Sequence, residues 1–136
     1  MRIDFTLTLP GMLDIPNIVR LSNDLGCGLL SKCIFSFSGD ILLSPLALPR
    51  DILIPWIDEI QHEIKDIISP RNQSMWDLLE QLKTRQTFEE QYNDPAALKR
   101  GKAHLMKLET IRKDAILTMQ DILAAYKPAV EWWNNI

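Results

Sequence analysis

The chain has 136 residues, 46% hydrophobic and 24% charged, with 15 Lys and Arg against 18 Asp and Glu for a net charge of −3. That length and apolar fraction suit one globular domain over residues 1–136 with a core of its own, and they exclude a disordered chain. The apolar runs are a few residues long, each broken by polar residues or proline, whereas a membrane-spanning helix needs roughly 20.

The first ten residues carry Asp4 and alternating threonines where a signal peptide needs a continuous apolar stretch, so the expectation is a cytoplasmic protein with no membrane partner. Ile3, Phe5, Leu7 and Leu9 alternate with Arg2, Asp4, Thr6 and Thr8, the period of a half-buried strand, and Pro10 and Gly11 end it. From Pro16 to Leu25 the positions of Ile18, Val19, Leu21 and Leu25 predict a short helix closed by Gly26 as a left-handed cap. Cys33, Phe35 and Phe37 alternate with Ile34, Ser36 and Ser38. A turn at Gly39 and Asp40 and a return through Ile41, Leu42 and Leu43 complete the expectation of a small hairpin. Pro45 and Pro49 break the next stretch. Pro55 opens a predicted helix over 55–69 with Trp56, Ile60, Ile64 and Ile67 inward, and Ser69 to Gln73 form a linker.

Between Ser74 and Tyr126 the pattern predicts a helical hairpin. Ser74 stands as an N-cap with Asp77 three residues on, and Trp76, Leu79 and Leu82 recur at helical spacing over 75–92. Asn93, Asp94 and Pro95 stop that helix and start another over 95–126. Leu108, Ile111, Ala115, Met119, Ile122 and Tyr126 climb one face of it, Leu105, Ile116, Leu117 and Leu123 widen the stripe, and Pro128 ends the run. A helix of that length reaches roughly 48 Å against roughly 27 Å for its partner, so it overhangs, kinks at Gly101 or packs on a further element. A terminal helix over 129–135 closes the chain. The expected fold is α+β and predominantly helical. A small N-terminal sheet or hairpin from the mixed strand and helix part, residues 1–48, packs on a helical bundle that contains the long C-terminal hairpin; the rival is an all-α bundle with an extended N-terminal arm.

Charge is unevenly placed. Counting Lys and Arg against Asp and Glu, residues 1–95 hold 8 against 14 and residues 96–136 hold 7 against 4, a net −6 and +3. Lys99, Arg100, Lys102, Lys107, Arg112 and Lys113 lie in a stretch whose only acid is Glu109, and cations early in a helix oppose its macrodipole. The first explanation is internal: an antiparallel hairpin brings Glu89 and Glu90 to Lys99, Arg100 and Lys102. The second is a partner protein with an acidic or pocketed surface, and the third is nucleic acid, disfavoured by a pI near 5.3 and by the lack of aromatics among the basic residues. Trp132 and Trp133 form the other candidate surface. Neighbouring helix positions point about 100° apart, so either Trp133 pins the terminal helix while Trp132 covers its edge, or one ring serves as an interface anchor, in a homodimer among other cases.

Reaction chemistry finds little footing. Glu59 and His62 have the Glu-x-x-His spacing of di-iron bundles, with Glu63 and Asp66 nearby, but His104 has Gly101 three residues before it, so a second copy is missing and no metal is expected. Cys27 and Cys33 with the two histidines lack zinc-site spacing, and two free thiols are expected. Gly26, Cys27 and Gly28 lack the rest of a phosphate loop, and no nucleophile-turn pattern occurs. The expectation is therefore no enzyme and no cofactor. The chain reads as a protein interaction module, an adaptor, inhibitor or immunity-type binder, acting through its C-terminal helices, with a nucleic-acid-associated accessory protein as the alternative.

Overall fold

Alternation of apolar and polar side chains makes Arg2–Leu7 strand β1, with Leu7 fully buried and Arg2, Asp4 and Thr6 exposed. The computed structural model describes residues 1–35, 37, 41–112 and 117–136, and its fold is α+β and predominantly helical. A 3-10 turn at Pro10–Asp14 leads into helix α1, Ile15–Leu25, which ends where Gly26 adopts φ +63°. A side chain at that φ meets steric strain that glycine avoids, so this stop is encoded locally.

The second strand differs from expectation. Strand β2 is Gly28–Cys33, ahead of the predicted hairpin, and it pairs with β1 in parallel from Arg2 against Gly28 to Leu7 against Cys33. This ladder removes the rival all-α architecture. Gly39 and Asp40, the predicted turn, lie outside the described residues, and Ile41–Leu43 forms a 3-10 turn instead of a returning strand. The reason is that α1 serves as the crossover between strands, so β2 starts directly after the Gly26 cap. Its outer edge is closed by the start of the next layer: the Leu29 N–H donates to the Arg71 carbonyl (2.8 Å), Ser74 Oγ donates to the Leu29 carbonyl (2.6 Å), and the Ser31 N–H donates to Ser74 Oγ (3.1 Å).

Helix α2 is Arg50–Ile64, displaced towards the N-terminus from the predicted 55–69. Pro55 lies inside it, exposed, where its missing N–H leaves only the carbonyl of exposed Asp51 to water. Helix α3, Gln73–Thr84, contains Ser74 in its first turn; the predicted cap instead ties α3 to β2, and Asp77 accepts from Gln73. The predicted 75–92 helix is two helices, since α4, Phe88–Tyr92, begins anew with Thr87 as its cap. The predicted 95–126 helix is also divided. Helix α5, Pro95–Ile111, stops well short, and α6, Met119–Leu123, has its own capping box from Thr118 and Asp121. Lys113, Ala115 and Ile116 lie outside the described residues, and Ile111 and Leu117, assigned to the buried stripe, are 64% and 61% exposed. Pro128 opens rather than precedes helix α7, Lys127–Asn134, by sitting in its first turn. Helix α5 runs unbroken through Gly101. The glycine packs beside Leu42, whose side chain would meet an added Cβ at 3.5 Å, an ordinary van der Waals contact.

The core is one cluster in which Leu7, Leu9, Ile15 and Val19 meet Leu53, Ile57 and Ile64 of α2 and Leu79 and Leu82 of α3. Leu123, Ala129 and Trp133 bring α6 and α7 onto it. Among the described residues, no helix is long and apolar enough to cross a membrane.

Because Ser74 serves both a donor and an acceptor of β2, Ser74→Ala leaves two main-chain groups without partners and is expected to cost about 1–3 kcal/mol. The urea midpoint falls while the slope of the transition is unchanged.

Candidate interaction groove

The groove forms around the first turns of α5, where the sequence punctuation is executed as written. Asn93 closes α4 with φ +46°, Asp94 Oδ1 accepts the Ala97 N–H at 3.2 Å, and Pro95 occupies the first turn of α5. The preceding loop is set by Arg50 at the start of α2. Its guanidinium donates to the carbonyls of Lys83 (2.9 Å) and Arg85 (2.7 Å) and holds Glu90 through both carboxylate oxygens, at 2.7 and 3.1 Å. The hydrogen bond from Arg50 holds the Glu90 carboxyl below its usual value, and Thr87 adds to that.

Three cavities then follow one another. A cleft of about 650 Å³ lies between Phe35, Phe37, Arg85, Phe88 and Tyr92, with Asp94 and Ala97 at its far wall. Phe88 and Asp94 are shared with a second cavity of about 200 Å³, which Pro49, Pro95, Leu98 and Trp132 also line. Pro95, Leu98 and Trp132 are shared in turn with a third of about 180 Å³, bordered by Lys99, Asn135 and Ile136. The cleft is strongly aromatic. Phe37 meets Phe88 edge to face at 5.0 Å, Phe88 meets Tyr92 at 5.1 Å, and the Arg85 guanidinium lies 3.9 Å above the Phe35 ring.

The basic residues singled out in the sequence divide by role. Lys99 is exposed at the third cavity, and Arg100 is exposed with only a 3.9 Å approach to Asp94. Lys102 turns inward: its ammonium donates to the Trp133 carbonyl at 2.7 Å, near the end of α7, and lies 5.1 Å from the Trp133 ring. Lys107 and Arg112 are exposed and have no carboxylate partner among the described residues, and Lys113 lies outside them. The expected pairing of Glu89 and Glu90 with Lys99, Arg100 and Lys102 does not form. Helix α4 restarts at Thr87, and that turn aims Glu90 at Arg50. In the tail, Trp133 is 2% exposed and packed in the core, whereas Trp132 is half-buried and forms a wall of two cavities.

The aromatic cleft differs from the sequence expectation, which places the site on the basic residues and the tryptophan tail. Phe35 and Phe37 follow β2 rather than forming the expected hairpin strand, and the spacing of Phe88 and Tyr92, one helical turn apart, is the signal of the cleft that the sequence carries. Outside the groove, Glu63 pairs with Arg20 at 3.1 Å while Glu59, His62 and Asp66 are exposed, and among the described residues no three His, Cys, Asp or Glu side chains converge to hold a metal. Cys27 and Cys33 are free thiols. Burial pushes the Cys33 thiol up to about 12, against a smaller opposing effect of the Arg85 charge. Compared with protein-family models, curated proteins and solved structures, the chain matches none.

Two measurements follow from these environments. The Glu90 carboxyl is lower in the folded state than in the unfolded chain, so its contribution is complete above the ordinary value of 4.5 and is lost as pH falls through the lower folded value. Glu90→Gln flattens that acid limb in a series of melting temperatures measured between neutral and acidic pH. With a Cys33 value of about 12 in place of 9.0, its thiolate fraction near neutrality is about a thousandfold below that of an ordinary thiol. Alkylation of Cys33 by iodoacetamide is expected to be correspondingly slow in folded protein and to recover in urea.

Proposed function

We propose that the protein is a non-catalytic interaction module whose working surface is the groove around the start of α5. The observation that carries this reading is the seam of Pro95, Leu98 and Trp132, the common wall of two cavities, with Lys99 at its edge and Arg100 close by in sequence on the same exposed start of the helix. An apolar side chain entering beside Trp132 removes a large aromatic surface from water, and carboxylates flanking it meet Lys99, which has no carboxylate partner among the described residues, and Arg100, whose approach to Asp94 is a loose 3.9 Å. The partner that fits is a protein segment with an apolar anchor and acidic neighbours, as for an adaptor or an inhibitor. The exposed Lys107 and Arg112 further along α5 extend the positive side and support nucleic acid as the second reading.

The test separates fold from function by leaving Lys102 intact, since its contact with Trp133 belongs to the core. The pair Lys99→Glu with Arg100→Glu is expected to weaken capture of a discrete protein partner with little change in melting temperature, and Trp132→Ala, whose ring also packs against the core, to weaken capture with a fall in melting temperature but a folded protein at the assay temperature. For Trp132→Ala the loss is about thirtyfold, the effect of removing a central aromatic anchor. Capture that survives both changes overturns the reading. Co-purification that disappears with nuclease and falls steeply with salt favours nucleic acid instead.

A further inference from the structure

The aromatic cleft of about 650 Å³ differs in size and lining from the apolar seam at Trp132. Clefts of about 300–1,000 Å³, mostly aromatic or apolar with a few placed polar groups, suit small organic ligands. Three of its rings touch one another. Phe37 stands edge to face with Phe88, at 5.0 Å and 74°, and with Tyr92, at 5.9 Å and 90°, while Phe88 and Tyr92 lie 5.1 Å apart. Rings set at such angles offer a planar guest both electron-rich faces and electron-poor edges. Among the described residues the lining holds one cation, Arg85, and one acid, Asp94. Asp94 is already engaged: one carboxylate oxygen accepts the Ala97 N–H at 3.2 Å, and the other lies 3.9 Å from the Arg100 guanidinium. Arg85 is exposed, and its guanidinium rests 3.9 Å over the Phe35 ring. Its carbonyl accepts from Arg50 at 2.7 Å, which fixes the backbone from which the side chain extends, yet among the described residues the guanidinium has no carboxylate partner and no hydrogen-bond acceptor.

We infer that the cleft binds a small aromatic monocarboxylate, with its rings among Phe37, Phe88 and Tyr92 and its carboxylate on the Arg85 guanidinium. A guanidinium stacked on a ring keeps the planar fork of donors that matches a carboxylate in two parallel hydrogen bonds, and an ionised acceptor strengthens each of them. The charge balance selects the anion. One unpaired cation answers one negative charge, and Asp94 on the same lining opposes a second, so a carboxylate fits where a doubly charged phosphate ester does not. The same balance disfavours an aromatic cation, because the acid it needs is held by Ala97 and Arg100 and the uncommitted charge is of its own sign. The cleft shares Phe88 and Asp94 with the neighbouring cavity but not Trp132, so this ligand and the partner segment proposed for the Trp132 seam stand or fall separately.

The test is an NMR titration of the full chain, followed at its backbone amides, with 2-naphthoate, a two-ring monocarboxylate. Two further probes vary the charge: 2-naphthamide keeps the rings without it, and 2-naphthyl phosphate adds to it. 2-Naphthoate is expected to bind saturably in the submillimolar range with its shifts centred on Phe35, Phe37, Phe88 and Tyr92. The amide is expected to bind about tenfold more weakly, the effect of losing charge-assisted hydrogen bonds, and the phosphate more weakly than the carboxylate. Arg85→Gln brings 2-naphthoate down to the level of the amide, whereas Arg85→Lys, which keeps the charge without the fork, retains part of the affinity. An unchanged amide spectrum away from the cleft in both variants separates this loss from a distorted fold. Trp132→Ala leaves the binding in place. The inference is overturned by 2-naphthoate that fails to saturate, that binds no better than the amide, or that ignores Arg85→Gln. A phosphate that binds more tightly than the carboxylate overturns it too, as do shifts that centre on Trp132 and vanish in Trp132→Ala, because the ligand then sits in the seam.

Discussion

The groove depends on one guanidinium. Arg50 begins α2, yet its donors reach the last carbonyls around the end of α3 and the carboxylate in the first turn of α4. Carbonyls at a helix C-terminus lack partners within the helix, and a planar fork of fixed donors can serve several of them while pairing with an acid. Arg50 and Glu90 are each more than a third exposed, so the attraction between their charges is screened and the consequence is chiefly geometric. With α3 ended at Thr84 and α4 restarted at Thr87, Phe88 turns inward at 4% exposure while Tyr92, 58% exposed, stays at the rim. A continuous helix over 75–92 has no bend at Arg85 to Thr87, and the aromatic cleft is built on that bend.

That dependence explains what was legible in the sequence. The alternation of β1, the Gly26 stop and the Asn93, Asp94, Pro95 junction were legible because each is decided within a few residues, by pleat period, by φ or by a short side chain reaching the next turn. The break after Thr84 was not, since the group that satisfies the carbonyls there comes from Arg50, more than thirty positions away. The break before Thr118 left a local sign. Thr118 and Asp121 form a capping box, outweighed in the pattern by the apolar positions on either side. The candidate site was half legible. Lys99 and Trp132 were each singled out, but nothing in the spacing indicates that α7 brings the ring against Pro95 and Leu98.

The cationic start of α5 is two populations rather than one cluster. Lys102 and its aromatic and carbonyl contacts belong to the packing of α7, a use that compensates for placing positive charge in the early turns of a helix. Lys99 has no such contact among the described residues, although charge of this sign near a helix N-terminus opposes the macrodipole by up to about 1 kcal/mol; Lys107 lies in the second half of α5 and Arg112 at its C-cap, where that opposition is absent. Glu109 forms no ion pair with them among the described residues; its carboxylate accepts the Met119 N–H at 3.0 Å and anchors α6. The exposed side of α5 is thus positive in a chain that is negative overall, and it adjoins the apolar seam.

The sheet poses the complementary question of what limits a strand. Two strands alone are marginal in water, and here the helical layers supply the core beneath them while Arg71 and Ser74 substitute for a third strand beside β2. On the other side, Arg2 and Asp4 pair with one another at 2.8 Å, but both are more than 60% exposed, so the pair adds little stability. Charges on an edge act mainly by discouraging unselective strand addition, which places them in opposition to most neighbours.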